Sequence, residues 1–304
     1  MNSRSLQRTR TRNPESKSFK NELNVLQLIH AKCNISRIEL SKETGLSAAS
    51  ITAIVQNLID KRLAVESGHN ASAFGRKPVS LSLRDDAGFL VGVDLGSFYT
   101  RVVITDVRGT LVYKRELKTG MADGRDLVLS RTLKAIHKAI DDSGKPRNAF
   151  KGIGIGHSGV IDVNKGLVLS FPRPGQMAEW KNVPLRDILE HEFDVACLLE
   201  DSVRAIATAE KHFGFGTGLN DFIYVDVGMG IGAAIFIDGK LYRGPGGSAG
   251  EFGHMTVDEH GPLCCCGNYG CLETLASCAA IIQSVKALSK RVWIRKFGSW
   301  RKEI

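Results

Sequence analysis

Residues 251–273 read EFGHMTVDEHGPLCCCGNYGCLE, and this stretch constrains the fold more than any other in the chain. It combines one imidazole with closely spaced thiols, a ligand set that Zn²⁺ binds in closed, tetrahedral and usually structural sites. The predicted zinc ligands are His254, Cys264, Cys266 and Cys271. Neighbouring side chains in an extended segment point in opposite directions, so Cys265 is expected to face away from the metal. The alternative is a set of cysteines buried for packing alone.

Glycines and acidic residues surround the predicted metal site. Glycine at positions 261, 267 and 270 lets the backbone turn tightly enough to direct the thiolates inward. Glu251, His254 and Glu273 flank the cysteines and can hydrogen-bond a polyhydroxylated molecule. A metal-bound imidazole keeps a second ring N–H as a donor. The stretch therefore predicts a ligand site beside the metal.

The same stretch resembles the signature of the ROK family, which unites sugar kinases and sugar-responsive transcriptional repressors. The family pattern is GE-x-GH followed by G-x-x-C-x-C-G-x-x-G-C-x-E, and every fixed position of it occurs here between residues 250 and 273. The resemblance spans roughly residues 20–280. It implies an α/β chain with an actin/hexokinase-like ATPase fold, a structural zinc and a sugar ligand.

Composition is that of a soluble globular protein. The chain has 304 residues with 43% hydrophobic and 24% charged positions, enough for about two or three domains. No apolar run reaches the length of a membrane span, and the basic N-terminus lacks the apolar core of a secretory signal. Seven cysteines, four of them clustered among glycines, fit a reduced cytoplasm better than a disulfide framework. We expect a cytoplasmic protein without a membrane partner.

Positive charge is concentrated at the two ends of the chain. Residues 1–84 carry 14 Lys/Arg against 6 Asp/Glu, and residues 284–304 carry 7 against 1. A basic head on an acidic body indicates a polyanion partner for the head. Residues 1–18 alone are better explained as a basic, flexible, solvated tail.

Residues 19–84 predict a winged helix-turn-helix. Leu23, Leu26, Leu28 and Ile29 form the apolar face of a first helix, and Ile38, Leu40 and Leu46 pack a short second helix and its turn at Gly45. Ser47 is the predicted N-cap of a third helix, whose core face carries Ile51, Ile54, Val55, Leu58 and Ile59. Residues 63–66 and 79–83 read as two short strands.

The opposite face of the third helix suits contact with a DNA major groove, because its residues are small and polar. The loop between the two strands ends in basic residues that suit phosphate contacts. The predicted DNA contacts are Ser47, Ala48, Ser50, Thr52, Gln56, Arg76 and Lys77. The pattern S-R-x-E-L-x-x-x-T-G-L-S and the later GRKP resemble the DNA-binding head of ROK repressors. Any trihelical bundle can imitate a helix-turn-helix, which is the alternative.

The body alternates strand-like and helix-like segments, as α/β architecture does. Residues 85–195 are expected to form a first lobe that begins with three consecutive strands and has a helix near 127–140. Residues 196–304 are expected to form a second lobe with the zinc site. The chain ends soon after that site, in a basic, tryptophan-containing segment, whereas family members continue. The segment is either a helix that covers exposed core or the end of a truncated or frame-shifted reading frame, and it leaves the second lobe incomplete.

The two loops that hold phosphate in the related kinases are altered. Where those kinases carry D-x-G-G-T-K, Asp94 and Gly96 are kept but Ser97, Phe98 and Tyr99 stand in place of Gly, Thr and Lys. The second loop, usually G-T-G-I-G, has Met229 in place of threonine, which removes a hydroxyl that could meet a phosphate.

Asp201 matches the position of the family's catalytic base, which takes the proton of the sugar hydroxyl. The residue before it is usually Asn, but here it is Glu200, so the hydrogen bonding must differ. Asp201 is therefore predicted to bind sugar without catalysis, together with Glu251, His254 and Glu273. The alternative role is the N-cap of the helix that follows.

The sequence thus predicts a sugar-responsive transcriptional regulator, more specifically a repressor that binds operator DNA as a homo-oligomer. A dimeric DNA-binding protein has two-fold symmetry, so its two heads match the two half-sites of a palindromic operator. The main alternative is an ATP-dependent sugar kinase with an added DNA-binding head, in which Asp201 is catalytic. A decayed protein that folds poorly is the third hypothesis.

Overall fold

The computed structural model describes residues 17–32, 34–67, 79–171 and 179–297. The chain divides into two compact units, residues 1–90 with 105–112 and residues 91–104 with 113–304. Within the described ranges, no helix is both long and apolar enough to cross a lipid bilayer.

The first unit consists of three helices and a small antiparallel sheet. Its helices are α1 (Lys17–Lys32), α2 (Arg37–Thr44) and α3 (Ala48–Asp60). Its strands are β1 (Ile35–Ser36), β2 (Ala64–Ser67) and β3 (Ser80–Leu83), with β3 in the middle. The predicted order of helix, helix-turn-helix and β-hairpin is confirmed, and β1 adds a third strand that sequence patterns did not indicate.

One apolar core joins these elements. On α3, Ile51, Val55 and Leu58 are fully buried, which confirms the predicted core face. Ile38 was expected in the core, but it is 62% exposed. Successive helical residues are about 100° apart, so the burial of Leu40 directs Ile38 to the opposite side of α2. Leu23 is likewise exposed, because Val25 and Ile29 form the buried face of α1.

The helix ends of the first unit follow from local chemistry. Ser36 and Glu39 form a capping box at the start of α2, with bonds of 3.2 and 2.8 Å between each side chain and the other's amide. Gly45 ends α2 with φ +68°, a conformation that favours glycine. Ser47 caps α3 by accepting the Ser50 amide at 3.2 Å, as predicted.

The second unit is built on a mixed α/β architecture. Its larger sheet has five strands in the order β10-β7-β4-β5-β6. These strands are β4 (Phe89–Leu95), β5 (Tyr99–Asp106), β6 (Leu111–Lys118), β7 (Phe150–His157) and β10 (Ala196–Asp201). Helices α4 (Arg125–Asp142) and α5 (Leu185–Phe193) and the two-stranded β8 (Val160–Asp162) and β9 (Leu167–Ser170) belong to the same region.

Strand β10 pairs in parallel with β7, from Ala196 opposite Gly152 to Asp201 opposite His157. The five-stranded sheet therefore continues past residue 195, where the first lobe was expected to end. Parallel pairing joins segments far apart in sequence, so local patterns do not reveal it.

A second, antiparallel sheet contains β11 (Phe222–Val227), β12 (Ile231–Ile237) and β13 (Lys240–Tyr242) in that order. Helix α6 (Ser202–Phe213) packs on it through Ala207, which shares a buried cluster with Ala234 and Phe236. Helices α7 (Leu272–Ala276) and α8 (Cys278–Phe297) follow. Residues 284–297 of the basic C-terminal segment are helical as part of α8, and residues 298–304 lie outside the described residues.

Residues 105–112 belong to the first unit, although the sequence placed the domain boundary at residue 84. Val107 packs at the edge of that unit's core, and Arg108 pairs with Asp85 at 2.7 Å. Residues 105–112 connect β5 to β6, whose remaining residues belong to the other unit, so local sequence patterns do not indicate this boundary.

Candidate metal centre and adjoining cleft

Four side chains of the second unit converge on one point. The ligand atoms of His254, Cys264, Cys266 and Cys271 all lie within 4.8 Å of one another. Two of the separations are 3.5 Å (His254 Nδ1 to Cys264 Sγ) and 3.6 Å (Cys266 Sγ to Cys271 Sγ). A tetrahedron with Zn–S bonds of ~2.3 Å has edges of ~3.8 Å. The cluster can therefore hold a metal ion, and its spacing fits a tetrahedral one.

Glycines allow the backbone to bring these ligands together. A Cβ at Gly270, where φ is +60°, would lie 1.5 Å from the Asp258 carbonyl oxygen. A Cβ at Gly253 would lie 2.1 Å from the Ile231 carbonyl oxygen of β12. Gly253 belongs to a short 3-10 helix, Phe252–His254, that ends at the imidazole ligand. The expected tight turn at Gly270 is confirmed.

Cys265 lies outside the four-ligand set and lines a neighbouring cleft. Its sulfur is 4.0 Å from that of Cys264. Burial raises the pKa of the Cys265 thiol to about 12. Burial also raises the pKa of the ligand Cys271 to about 12, so a metal ion must displace a proton there.

The cleft adjoins the metal cluster and has a volume of about 260 Å³. All four residues assigned to ligand binding from the sequence line it, namely Asp201, Glu251, His254 and Glu273. Asp201 ends β10, Glu251 and His254 lie at the start and end of the 3-10 helix, and Glu273 belongs to α7, so the folded chain brings together groups 72 positions apart. Carboxylates accept hydrogen bonds from hydroxyl groups, which suits a polyhydroxylated ligand.

Asp201 caps α6 and lines the cleft at the same time. Its Oδ1 accepts the Arg204 amide at 3.0 Å, so the alternative role predicted for it is present. Burial raises the pKa of the Asp201 carboxyl, and the nearby Glu251 and Glu200 carboxylates add to the rise. The helix cap and the cleft position are therefore compatible.

Glu200 is held by an arginine that sequence reasoning did not single out. Its Oε2 pairs with Arg243 Nη2 at 2.5 Å, and its Oε1 accepts the Asp201 amide at 3.0 Å. Glu200 is not among the cleft-lining residues. The different hydrogen bonding expected from the Glu200 substitution is thus an ion pair directed to Arg243.

His254 lies near Glu251, and Glu273 bonds the backbone of the adjacent glycine-rich loop. His254 presents Nδ1 to Cys264, while its Nε2 lies 3.9 Å from Glu251 Oε2. Glu273 Oε2 accepts the amide of Ile231 at 2.9 Å. A Cβ at Gly230 would lie 2.6 Å from that same carboxylate, which explains glycine in this loop by packing.

The first of the altered phosphate loops contains an ion-pair network. Arg101 Nη1 donates to Asp94 Oδ2 at 3.0 Å, and its Nε donates to Glu116 Oε2 at 2.7 Å. Asp94 is therefore paired with a cation of the protein itself. Met229, from the second loop, lines the cleft together with Ser97.

His157 is the last residue of β7, and a lone histidine in the sequence does not by itself indicate a role. It is fully buried beside Phe171 and Trp180, with ring centroids 5.8 and 5.2 Å away. Its Nδ1 accepts the Gly159 amide at 2.8 Å. Burial lowers the pKa of His157 to about 4, so the ring is neutral near pH 7. It supports the wall of the cleft that Gly159 and Phe171 line.

The outer face of α3 is solvent-exposed at each described position assigned to DNA contact. These positions are Ser47, Ala48, Ser50, Thr52 and Gln56. Gln56 bonds Asp60 at 2.9 Å within the helix, and Thr52 bonds the Ala48 carbonyl at 2.8 Å. Arg76 and Lys77 lie outside the described residues.

Comparison with known proteins agrees with this architecture. Residues 19–63 match a winged helix-turn-helix DNA-binding family, and residues 90–301 match the ROK family. The xylose repressor of Caldicellulosiruptor bescii is 35% identical over 280 residues, which cover 92% of this chain and 69% of that protein.

The solved structures that are similar to the chain include two ROK family proteins. One is a ROK family transcriptional regulator described as a homologue of the Escherichia coli MLC protein, with TM-score 0.75, 31% identity, and coverage of 90% of this chain and 68% of that chain. The other is a ROK family glucokinase from Streptomyces griseus in complex with glucose and AMPPNP, with TM-score 0.57, 31% identity, and coverage of 64% and 59%. The winged helix-turn-helix precedes an actin/hexokinase-like α/β fold, and the chain belongs to the ROK family.

Proposed function

We propose that the protein is a sugar-responsive, DNA-binding transcriptional repressor. The observation that carries this proposal is the cleft itself, where Asp201, Glu251, His254 and Glu273 meet although Asp94 is engaged by Arg101. The groups proposed to bind sugar meet in the cleft, while Asp94, which stands where the related kinases have the aspartate that manages Mg²⁺, is paired with Arg101. The similarity to the xylose repressor of C. bescii supports the same function.

DNA is the proposed partner of the first unit. Base contacts are assigned to Ser47, Ala48, Ser50, Thr52 and Gln56 at the start and on the exposed face of α3. Phosphate contacts are assigned to Arg76 and Lys77, which lie outside the described residues. Lys/Arg contacts to phosphates release counterions, so affinity should fall as salt rises. A homo-oligomer would place two α3 helices on a palindromic operator.

Zn²⁺ is the proposed occupant of the four-ligand cluster, with a structural role. Zinc would hold His254 through Nδ1 and leave its Nε2–H directed toward Glu251 and the cleft. Cys271→Ser should reduce bound zinc from about one equivalent to a small fraction, because thiolate ligands dominate such sites. Cys278→Ser is the matched control, since Cys278 is an exposed free thiol outside the cluster. Equal zinc content in both variants by elemental analysis would contradict the assignment.

The central experiment measures DNA binding with and without sugar. Fluorescence anisotropy with DNA from upstream of the protein's own gene should give salt-sensitive binding, and one sugar of a panel should weaken it. Such coupling requires the sugar to bind one DNA-binding state better than the other. Absence of protein-dependent binding across that DNA would reject the proposal.

A sugar kinase is the second candidate function, favoured by the position of Asp201 in the cleft and by the similarity to the S. griseus glucokinase. An ADP-release assay with hexoses and N-acetylhexosamines as substrates distinguishes the sugar kinase from the non-catalytic repressor. We expect no turnover. Turnover that disappears in Asp201→Asn would establish the kinase instead.

A further inference from the structure

Cys265 stands between two of the proposed zinc ligands but does not belong to their cluster. Residues 264–267 form a tight turn, in which the Gly267 amide donates to the Cys264 carbonyl at 3.0 Å. The two central residues of the turn direct their side chains to different places. Cys266 joins the four-ligand cluster, whereas Cys265 lines the cleft. The turn therefore places an additional thiol in the cleft beside the metal cluster.

This thiol belongs to a second group of metal-binding side chains. The ligand atoms of Cys264, Cys265 and Glu273 all lie within 4.8 Å of one another. The two sulfurs are 4.0 Å apart, close to the ~3.8 Å edge of a tetrahedron with Zn–S bonds of ~2.3 Å. Glu273 accepts the Ile231 amide through Oε2, and its carboxylate has a second oxygen that can bind a metal ion.

Cys264 is common to both groups of ligands. Its sulfur is also 3.5 Å from His254 Nδ1 in the four-ligand cluster. A thiolate sulfur has several lone pairs and can bond two metal ions at once, so the second group does not take a ligand from the first. Three protein ligands leave one of four tetrahedral positions open. Because Cys265 and Glu273 both line the cleft, that position is reachable from it.

The charge of the cleft favours a cation. The carboxylates of Asp201, Asp226, Glu251 and Glu273 all line it. Arg204 is the one guanidinium among the described lining residues, and its Nη2 donates to two backbone carbonyls. Carboxylates grouped in a cleft attract cations. Thiolate ligands select soft or borderline ions such as Zn²⁺ and Cd²⁺ over Mg²⁺ and Ca²⁺, which prefer oxygen ligands.

We propose that Cys264, Cys265 and Glu273 form a second metal site, open to the cleft, for a borderline or soft divalent cation. Its ion shares the Cys264 sulfur with the ion of the four-ligand cluster. The first site is closed by four protein ligands, whereas the second has three and is completed by water, so its ion is bound more weakly and exchanges first. Glu273 is also a proposed sugar contact, and for that reason the test uses metal alone.

The test titrates zinc into the full chain in a non-thiol reductant. Protein dialysed against metal-free buffer should keep about one equivalent of zinc, held by the four-ligand cluster. Added zinc should then bind to the wild type as about one further equivalent, measured by calorimetry and checked by elemental analysis. Cys265→Ser should keep the first equivalent and bind none of the second. Cys278→Ser is the matched control and should behave as the wild type does, because Cys278 is an exposed free thiol outside both ligand groups.

Glu273→Gln tests the carboxylate ligand. The Gln side-chain oxygen can still accept the Ile231 amide, so this contact is kept, but the second equivalent should bind at least ~10-fold more weakly. Cadmium NMR tests the shared sulfur. Protein saturated with Cd²⁺ should give two metal resonances that split each other, because the Cys264 sulfur joins the two ions.

The results that would overturn the second site are specific to it. They are a wild type that saturates at one equivalent, a second equivalent that persists in Cys265→Ser, and two cadmium resonances without mutual splitting. A wild type that binds no zinc contradicts the proposed four-ligand cluster as well. Because none of these measurements involves sugar or DNA, they can reject the second site without contradicting the proposed repressor function.

Discussion

At the scale of single residues, Asp201 meets two requirements with one carboxylate. As an N-cap it accepts the Arg204 amide, and as a cleft residue it is available to a ligand. Burial raises the pKa of Asp201, so ionisation near neutral pH opposes folding. Functional sites commonly contain such groups, whose removal stabilises the fold and lowers activity.

Asp201→Asn should therefore raise or preserve thermal stability at pH 7 while weakening sugar binding by roughly tenfold or more. Asn is as good an N-cap as Asp, so the helix end is retained. Asp201→Ala is the comparison, since it loses both the cap and about 1 kcal/mol of stability. Thermal melts and calorimetric titration on the same samples measure both effects. Unchanged sugar affinity in Asp201→Asn would exclude Asp201 from the ligand contacts.

His157 gives the fold a dependence on acidity. Its pKa is about 4 when folded, compared with 6.5 for the free side chain, so the unfolded state binds more protons between those values. The free energy of unfolding should fall by about 3 kcal/mol as the pH falls from 6.5 to 4. Urea unfolding of the wild type and His157→Gln across this range tests it. The free energy of unfolding of His157→Gln should lose this part of its pH dependence. Parallel plots of unfolding free energy against pH for the two proteins would refute the role of His157.

At the scale of elements, one face of α3 contributes to folding and the opposite face is proposed to recognise DNA. Its buried face carries Ile51, Val55 and Leu58, and its exposed face carries the residues proposed to contact DNA. The apolar spacing predicted this division, since 3.6-residue periodicity sets which side chains share a face.

Ser50→Asn with Gln56→Asn should change operator preference and alter stability by no more than about 0.5 kcal/mol, because exposed substitutions rarely matter to folding. Leu58→Ala on the same helix should cost about 2–5 kcal/mol and leave the preference of the remaining folded protein unchanged. Selection from a randomised DNA pool measures operator preference, and thermal melts of the same proteins measure stability. Identical selected sequences for the double variant and the wild type would exclude these positions from the reading face.

Local patterns predicted the elements that depend on neighbours in sequence. The capping residue Ser47, the turn at Gly45 and the four metal ligands all lie in short segments. The resemblance to the ROK family supplied Asp201, which lies far from the other ligand-site residues in sequence. The ion pairs of Arg101 with Asp94 and of Arg243 with Glu200 were missed. Such pairs depend on tertiary geometry, which charge alone does not specify.

At the scale of the whole molecule, the two units have separate cores. The first is held by the apolar cluster around Leu40, Ile51 and Val55. The proposed zinc cluster lies wholly in the second. Because metal binding energy at such a site is also folding energy, the two units should respond differently to metal removal.

Chelation of zinc should lower the melting transition of the second unit by several degrees or more and leave that of the first unit unchanged. Scanning calorimetry with and without chelator measures the two transitions. Cys278→Ser should behave as the wild type does, and Cys271→Ser should resemble the chelated protein in both conditions. A common shift of both transitions would show that the units do not fold separately.

The hydrogen bond between the Ile231 amide and the Glu273 carboxylate can report ligand binding in the cleft. Deuterium replaces that amide hydrogen only after the bond opens. A sugar that holds the Glu273 side chain in place lengthens the interval between openings at this one position. Residue-resolved exchange at Ile231 should therefore slow when a ligand binds, and it detects binding without a dye, a coupled enzyme or DNA.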